Sequence, residues 1–256
     1  MITALIPGRG GSKRVPLKNA RAVGGKALID WSINLALASS LIGKAIVSTD
    51  SNEIVANSDY LSPFLENFNA SEVGSLIEIA PRLVIHRRSP ESSNDTSKTF
   101  SIVQELLRGS EAISEELLLL QPTAPFRSVE EIIEIVALKE KANADSVFSV
   151  RKVESPHPNK CFQLDDQSHI SVSGNILANL QTPEQQMPTF YAPDGAFYLV
   201  SREFLRKEKV FVNHDSICFI RSGPKTINID TELDLSFAQY LSDTDSSFLR
   251  WHWNQS

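Results

Sequence analysis

Short apolar runs alternate with segments of helical spacing along most of this chain, and that alternation constrains the fold more than any other feature. Thr3 to Pro7 is an apolar run broken at once by Gly8, Gly10 and Gly11, which reads as a strand feeding a glycine loop. After Gly24-Gly25, apolar residues recur at helical spacing from Ala27 to Ala38, and Lys44 to Ser48 is a short β-branched run. The pattern continues with a strand over Leu83–His86, a helix near Thr99–Leu107, a buried strand over Leu117–Leu120, a helix over Val129–Lys141 and a strand over Ser146–Val150. Such succession implies parallel strands, because each crossover needs a helix's length of chain, and the helices then cover both faces. The expected fold is α/β, a three-layer, Rossmann-like arrangement around a mostly parallel sheet.

With 256 residues the chain can enclose one such core, so a single domain over 1–256 is expected. Between about Val153 and Ala192 the pattern breaks into Pro, Asn, Gln and Ser, with weak alternation at Phe162–Leu164 and Ile170–Val172. That segment reads as an excursion from the sheet. The chain returns with strands near Ala196–Val200 and Ile217–Ile220, the segment Thr226–Ile229, and a helix from Glu232 to Leu241 that the Thr231 hydroxyl can cap. Asn57 to Pro81 shows no clean period, and the tail Arg250-Trp-His-Trp253 is assigned no role.

A formal charge of -6 argues against broad nucleic-acid binding, so any phosphate chemistry must come from a local cluster of cations. No apolar run approaches the roughly 20 residues that span a bilayer, and the opening residues read as strand and loop, not as a secretory signal. Cys161 and Cys218 have no spacing that suggests a zinc site or redox pair. A cytoplasmic protein with two reduced thiols is expected, binding neither nucleic acid nor membrane.

The loop after the first strand supplies those cations. Pro7-Gly-Arg-Gly-Gly-Ser-Lys-Arg-Val-Pro-Leu-Lys-Asn19 packs Arg9, Lys13, Arg14 and Lys18 beside free backbone N–H groups, which makes a polyphosphate cradle. It is not a Walker loop, which needs Gly-Lys followed by Ser or Thr, nor a dinucleotide fingerprint, which needs a third glycine where Lys13 stands. Glycine and lysine alone would equally suit a solvated basic loop. Its place after strand one favours function, because ligands of parallel sheets bind beyond the carboxyl ends of the strands.

This loop, with Ser48-Thr-Asp50, Leu120-Gln-Pro-Thr-Ala-Pro-Phe-Arg127 and Ile229-Asp-Thr-Glu-Leu-Asp234, resembles the acylneuraminate (CMP-sialic acid) cytidylyltransferase family over nearly the whole chain. The resemblance implies a fold of the nucleotide-diphospho-sugar transferase type and the transfer of CMP from CTP to an acidic nine-carbon sugar. It implies that Arg9, Gly10, Ser12, Lys13, Lys18 and Asn19 surround CTP, with Lys18 near the phosphates. Arg88-Ser-Pro-Glu-Ser-Ser-Asn-Asp-Thr96 looks like the family's nucleotide-contacting segment, with Arg88 the candidate and Arg87 the alternative one residue away. Gln121 and Arg127 match a segment whose glutamine lies beside the acidic sugar. Without the resemblance, a satisfied amide in a Pro-rich turn would be the better reading of Gln121. Gln185, Gln186, Asp194 and Gly195 match the family's substrate-binding stretch. Members of the family are commonly dimers in which an extended arm embraces the partner, so residues 153–192 are expected to form that arm in a homodimer.

Three positions depart from the family pattern. Ala192 replaces an arginine and Asp194 an asparagine, and both changes reduce attraction for an anion. Asn228 replaces one of two aspartates expected to hold Mg²⁺, which leaves Asp230. Magnesium uses one or two carboxylates plus substrate phosphates, so Asp230 can suffice with the Asn228 carbonyl beside it. In a strand the two residues would share a face. Asp230 could equally serve only to start the final helix. No general base is assigned. The closest alternatives are enzymes acting on legionaminic, pseudaminic or an eight-carbon octulosonic acid, and a nucleotide-binding homologue without activity.

Overall fold

The computed structural model describes residues 1–93, 99–108, 112–171 and 176–244. The N-terminal half runs β1 (Ile2–Gly8), β2 (Ala22–Val23), β3 (Lys26–Ala27), α1 (Leu28–Ala38), β4 (Ile42–Thr49), α2 (Asn52–Asn57), α3 (Leu65–Ala70), β5 (Leu76–Ala80), β6 (Leu83–Arg87), α4 (Pro90–Ser93) and α5 (Phe100–Arg108). The second half runs β7 (Glu116–Leu119), α6 (Val129–Ala142), β8 (Ser146–Lys152), β9 (Gln163–Leu164), β10 (Ile170–Ser171), α7 (Ile176–Gln181), β11 (Tyr191–Ser201), α8 (Arg202–Glu208), β12 (Ile217–Arg221) and α9 (Glu232–Thr244). The main sheet has the order β12-β8-β11-β7-β1-β4-β6-β5. Parallel pairs join β7, β1, β4 and β6 in its centre, while β11 and the edge strand β5 run antiparallel to their neighbours. The expected mostly parallel, three-layer α/β fold is therefore present.

Strand alternation builds the two cores. In β1, Ala4 and Ile6 join the apolar cluster that includes α1 and α6, whereas Leu5 faces the cluster that includes α5 and α8. Ala45 and Val47 against Ile46 in β4, and Leu118 against Leu117 and Leu119 in β7, divide in the same way. Both faces of these strands are thus apolar, as a sheet buried on both sides requires. A third cluster packs Leu235, Ala238 and Leu241 of α9 on Val15, Val23, Trp31, Phe126 and Ile229. That cluster holds the cationic loop against the segment before α9.

Two elements differ from the expected pattern. Thr226–Ile229 is not a strand: a 3-10 turn over Pro224–Thr226 leads into extended chain, tied to the sheet's loops by Ile229 N donating to Thr123 O at 2.7 Å. Its β-branched composition resembles a strand, but Gly223 and Pro224 break the chain before a ladder can form. The second is Asn57–Pro81, which carries α3 and β5, both too short to show a period.

The excursion after β8 leaves and returns across one strand pair, with Lys152 opposite Tyr191. At its outer part β9 and β10 form a short antiparallel hairpin, and His157 anchors the base through the Pro188 carbonyl at 3.0 Å. Val172 and the tail Arg250-Trp-His-Trp253 lie outside the described residues, as do Asn94–Thr96.

Candidate active site

A cleft of about 400 Å³ opens where β1, β6 and β7 end. Pro7, Arg9 and Ser12 come from the end of β1 and its loop, Arg88 follows β6, and Gln121, Pro122 and Thr123 follow β7. Lys18, Asn19, Thr99, Ile102, Asn228 and Asp230 complete the lining. This is the position that ligands of open parallel sheets occupy.

The loop after β1 is held by its neighbours. Gly10 N donates to Asp50 Oδ1 at 3.0 Å, and a Cβ at Gly10 would stand 2.8 Å from Ser51 Cβ, so only glycine permits this approach. Buried Asn19 donates to the Arg9 carbonyl at 3.2 Å and closes the loop from the far end. Leu17 takes the left-handed conformation, φ 51°, and reverses the chain so that Lys18 enters the cleft. There the Lys18 Nζ donates to Ile229 O at 2.7 Å and to Asp230 Oδ1 at 3.1 Å. A contiguous recess of about 350 Å³ is lined by Arg9, Ser12, Lys13, Arg14, Lys18 and Asp230. The cleft therefore has a cationic end at the loop and a largely neutral end beneath Gln121 and Thr123.

Arg88 and Arg87 separate by strand alternation. Arg87 turns away and donates to the carbonyls of Phe68 and Asn69, both at 3.0 Å, and of Ser71, so it caps α3. Arg88 is buried along the cleft and donates to the Ser92 carbonyl, while its Nε has no hydrogen-bond partner among the described residues. Burial pulls its guanidinium below the ordinary value, and Asp50 opposes that shift.

Asn228 and Asp230 converge although they are not in a strand. Asn228 Nδ2 donates to Asp230 Oδ2 at 3.2 Å, and the buried Asn228 Oδ1 has no partner among the described residues. No group of three or more His, Cys, Asp or Glu stands close enough to hold a metal among the described residues. Asp234 accepts from the backbone N–H of Asp230 at 3.0 Å and of Thr231 at 2.8 Å, and Thr231 Oγ1 returns a cap to Asp234 N at 3.2 Å. Burial works against the Asp234 charge, but these hydrogen bonds outweigh it and hold its carboxyl below the ordinary value.

A cytidylyltransferase family model matches residues 3–58, the stretch that contains β1, the cationic loop and β4. A CMP-N,N'-diacetyllegionaminic acid synthase of Legionella pneumophila is 31% identical over 252 residues, covering 97% of this chain and 99% of that protein. The chain belongs to the acylneuraminate cytidylyltransferase family. An N-acylneuraminate cytidylyltransferase A of Danio rerio is 27% identical over 93% of this chain and 50% of that protein, so the chain spans about half the length of that relative. A solved CMP:2-keto-3-deoxy-manno-octonic acid synthetase complexed with CTP shares the fold, with TM-score 0.61 and 14% identity, covering 95% of this chain and 99% of that one.

Within this cytidylyltransferase, two residues expected to bind substrate are built into the core instead. Arg127 is 2% exposed and donates to Ala196 O at 3.1 Å and to Ser32 Oγ. Burial, then the neighbouring Arg221 cation, pull its guanidinium down to about 9. Asp194 is fully buried, accepting from Ser149 Oγ, from Ala196 N at 3.1 Å and from Arg221 Nη1 at 2.7 Å. A carboxylate without solvent needs such partners, and its principal one lies on another strand, where sequence spacing could not reveal it. Gln185 and Gln186, in a 3-10 turn of the excursion, are exposed and do not line the cleft. Gly195, at φ 76°, does approach it: a Cβ there would stand 2.8 Å from Gln121 Oε1 and 3.5 Å from Asn228 Oδ1.

Thr99, Ile102 and Thr123 line the cleft without having been singled out from sequence. Thr123 lay inside a recognised motif, while Thr99 and Ile102 carry no local signal and arrive only through the packing of α5. Asp50, which holds Gly10, could be found from its motif at the end of β4.

Proposed function

We propose that this cytidylyltransferase transfers CMP from CTP to the anomeric hydroxyl of a sialic-acid-like nonulosonic acid and releases pyrophosphate. The observation that carries the reading is the reach of Lys18, which joins the cationic loop to Asp230 in one cleft whose other wall is Gln121. Arg9, Lys13, Arg14 and the loop N–H groups suit a triphosphate. Gln121, Thr123 and Asn228 offer uncharged donors and acceptors suited to a polyhydroxylated acid. Full-length similarity to a synthase named for CMP-N,N'-diacetyllegionaminic acid supports the same substrate class, including the legionaminic branch.

In this reading the anomeric oxygen attacks the α-phosphorus in line, the bond from that phosphorus to the pyrophosphate oxygen breaks, and the hydroxyl proton leaves to solvent. The Lys18 ammonium exchanges Asp230 for the phosphate oxygens and opposes the charge that builds on the leaving group. The buried, unpartnered Nε of Arg88 supplies a directed donor to the nucleotide. Asp230 and the unpaired Asn228 Oδ1 offer hard oxygens to Mg²⁺, whose remaining positions would be filled by water and phosphate. When bound, the ion supplies charge neutralisation and orientation of the triphosphate.

The reading includes a homodimer and a cytoplasmic location. Phe162, Leu164 and Ile170 expose apolar side chains on the excursion, which suits an arm that packs on a second copy.

Phosphate release in a coupled pyrophosphatase assay, with CTP, Mg²⁺ and a panel of sialic, legionaminic, pseudaminic and octulosonic acids, tests the activity. Turnover with one nine-carbon acid is expected. CTP binding without turnover of any acid would instead favour the inactive nucleotide-binding reading.

A further inference from the structure

Between Pro193 and Tyr198 the β8–β11 pairing slips: Pro193 lies opposite Val150 but Tyr198 opposite Phe148, so five steps along β11 match two along β8. The residues gained form a bulge, and Gly195 within it faces Gln121 and Asn228 so closely that an added Cβ would stand 2.8 Å from Gln121 Oε1. Bulges beside sites re-aim the chain, and this one is clamped from behind.

The clamp is Arg221, the last residue of β12, whose guanidinium is completely shielded from solvent. Its Nη1 donates to Asp194 in the bulge at 2.7 Å, and its Nη2 donates to the Phe126 carbonyl at 2.6 Å. Phe126 belongs to the same loop as Gln121 and Thr123. The Nε donates to Glu131 Oε1 at 2.9 Å, which fixes the guanidinium plane. One planar fork therefore ties together the two backbone segments that form the wall, at distances only a five-donor group can serve at once. Thr123 passes the constraint on, since its carbonyl accepts from Ile229 N at 2.7 Å, one residue from both Asn228 and Asp230.

We propose that Arg221, acting through Asp194, is a positioning residue that sets recognition of the sugar acid by holding the Gly195 bulge and the Gln121 loop in register. The inference rests on the activity proposed above. Arg221 does not line the cleft or its cationic recess. The loop that takes the triphosphate is held at Gly10 by Asp50 and at Arg9 by Asn19, contacts that Arg221 does not make, so the clamp reaches the recess only through the Thr123–Ile229 bond and bears more directly on the acid's end of the cleft.

The test compares wild type with Arg221→Lys, Asp194→Asn and the double variant. Arg221→Lys keeps the buried charge but cannot reach all three acceptors, and Asp194→Asn restores the family's residue. Wild type must first turn over an acid; if it turns over none, the activity proposal fails and this inference with it. Given turnover, both single variants should raise KM for the acid by about tenfold or more, leave KM for CTP within about twofold, and bind CTP as wild type does by calorimetry. The double variant should be no worse than Arg221→Lys, because both remove one coupled contact. Folded single variants whose KM values for acid and CTP rise together, or stay unchanged, would overturn the assignment. So would additive losses. Should Arg221→Lys fail to fold, Asp194→Asn alone decides between these outcomes by the same pair of KM values.

Discussion

At the scale of single residues, the cleft turns on how few charges do several things. Asp230 has both oxygens engaged, one by the Lys18 ammonium and one by the Asn228 amide. A second carboxylate at 228 would replace that donor with a like charge about as close, favourable only with a cation between them. Asp230→Ala is expected to abolish CMP transfer. Asn228→Asp is expected to preserve activity at saturating Mg²⁺ and to lower the Mg²⁺ concentration for half-maximal rate several-fold. Rates over a Mg²⁺ titration check both, and full activity in Asp230→Ala would remove the metal assignment. The Lys18 and Asp230 motifs were legible because each follows its own local pattern of glycines or of a helix start. Arg127 and Asp194 were read as ligands because a polar residue in a motif looks the same whether its partner is a substrate or a buried protein group, here the Ala196 carbonyl for Arg127 and Arg221 for Asp194. Only the partner's position separates the two cases.

At the scale of elements, α6 shows how a cap and a core charge can share one residue. Ser128 Oγ accepts from Glu131 N at 3.3 Å, and Glu131 returns a bond to Ser128 N at 3.0 Å, a reciprocal capping box. Ser128→Ala should cost about 1 kcal/mol of stability, seen as a lower urea midpoint with unchanged slope, and leave turnover within about twofold. Glu131 also pairs with Arg221, and with Lys225 at 2.8 Å. Burial pushes its carboxyl up, but attraction and hydrogen bonds from Arg221 and Lys225 outweigh this and hold it below the ordinary 4.5. Its unfolded form therefore binds a proton before its folded form does. The associated stability is complete above 4.5 and is lost as pH falls from there toward the depressed folded value. Urea midpoints measured from neutral pH downward should decline in that window, with a flatter decline for Glu131→Gln relative to its own neutral-pH midpoint. Equal slopes for the two proteins would refute it. The helix over Val129–Lys141 was legible from its period, whereas β5, α3 and α8 were not: elements of five to seven residues are too short to display a period.

At the scale of the whole molecule, the excursion between β8 and β11 leaves Leu164 and Ile170 at 59% and 42% exposure on one short hairpin. Apolar groups on a two-stranded hairpin gain little from their own chain, and the proposed homodimer would cover them. Light scattering coupled to gel filtration should give twice the chain mass, and Leu164→Glu with Ile170→Glu should shift it toward the monomer while circular dichroism stays unchanged. A monomeric wild type at micromolar concentration would sink the homodimer. The order of strands and helices, the sheet's burial on both faces and the cationic loop were determined by the sequence itself, because apolar periodicity and glycine placement act between near neighbours. The antiparallel insertion of β11, its bulge at Gly195, and the conversion of Arg127 and Asp194 from apparent ligands into core were decided only by tertiary structure. Those outcomes depend on pairings between residues as far apart as Glu131 and Arg221, 90 positions along the chain, whose energies exist only once the sheet has brought them together and excluded water.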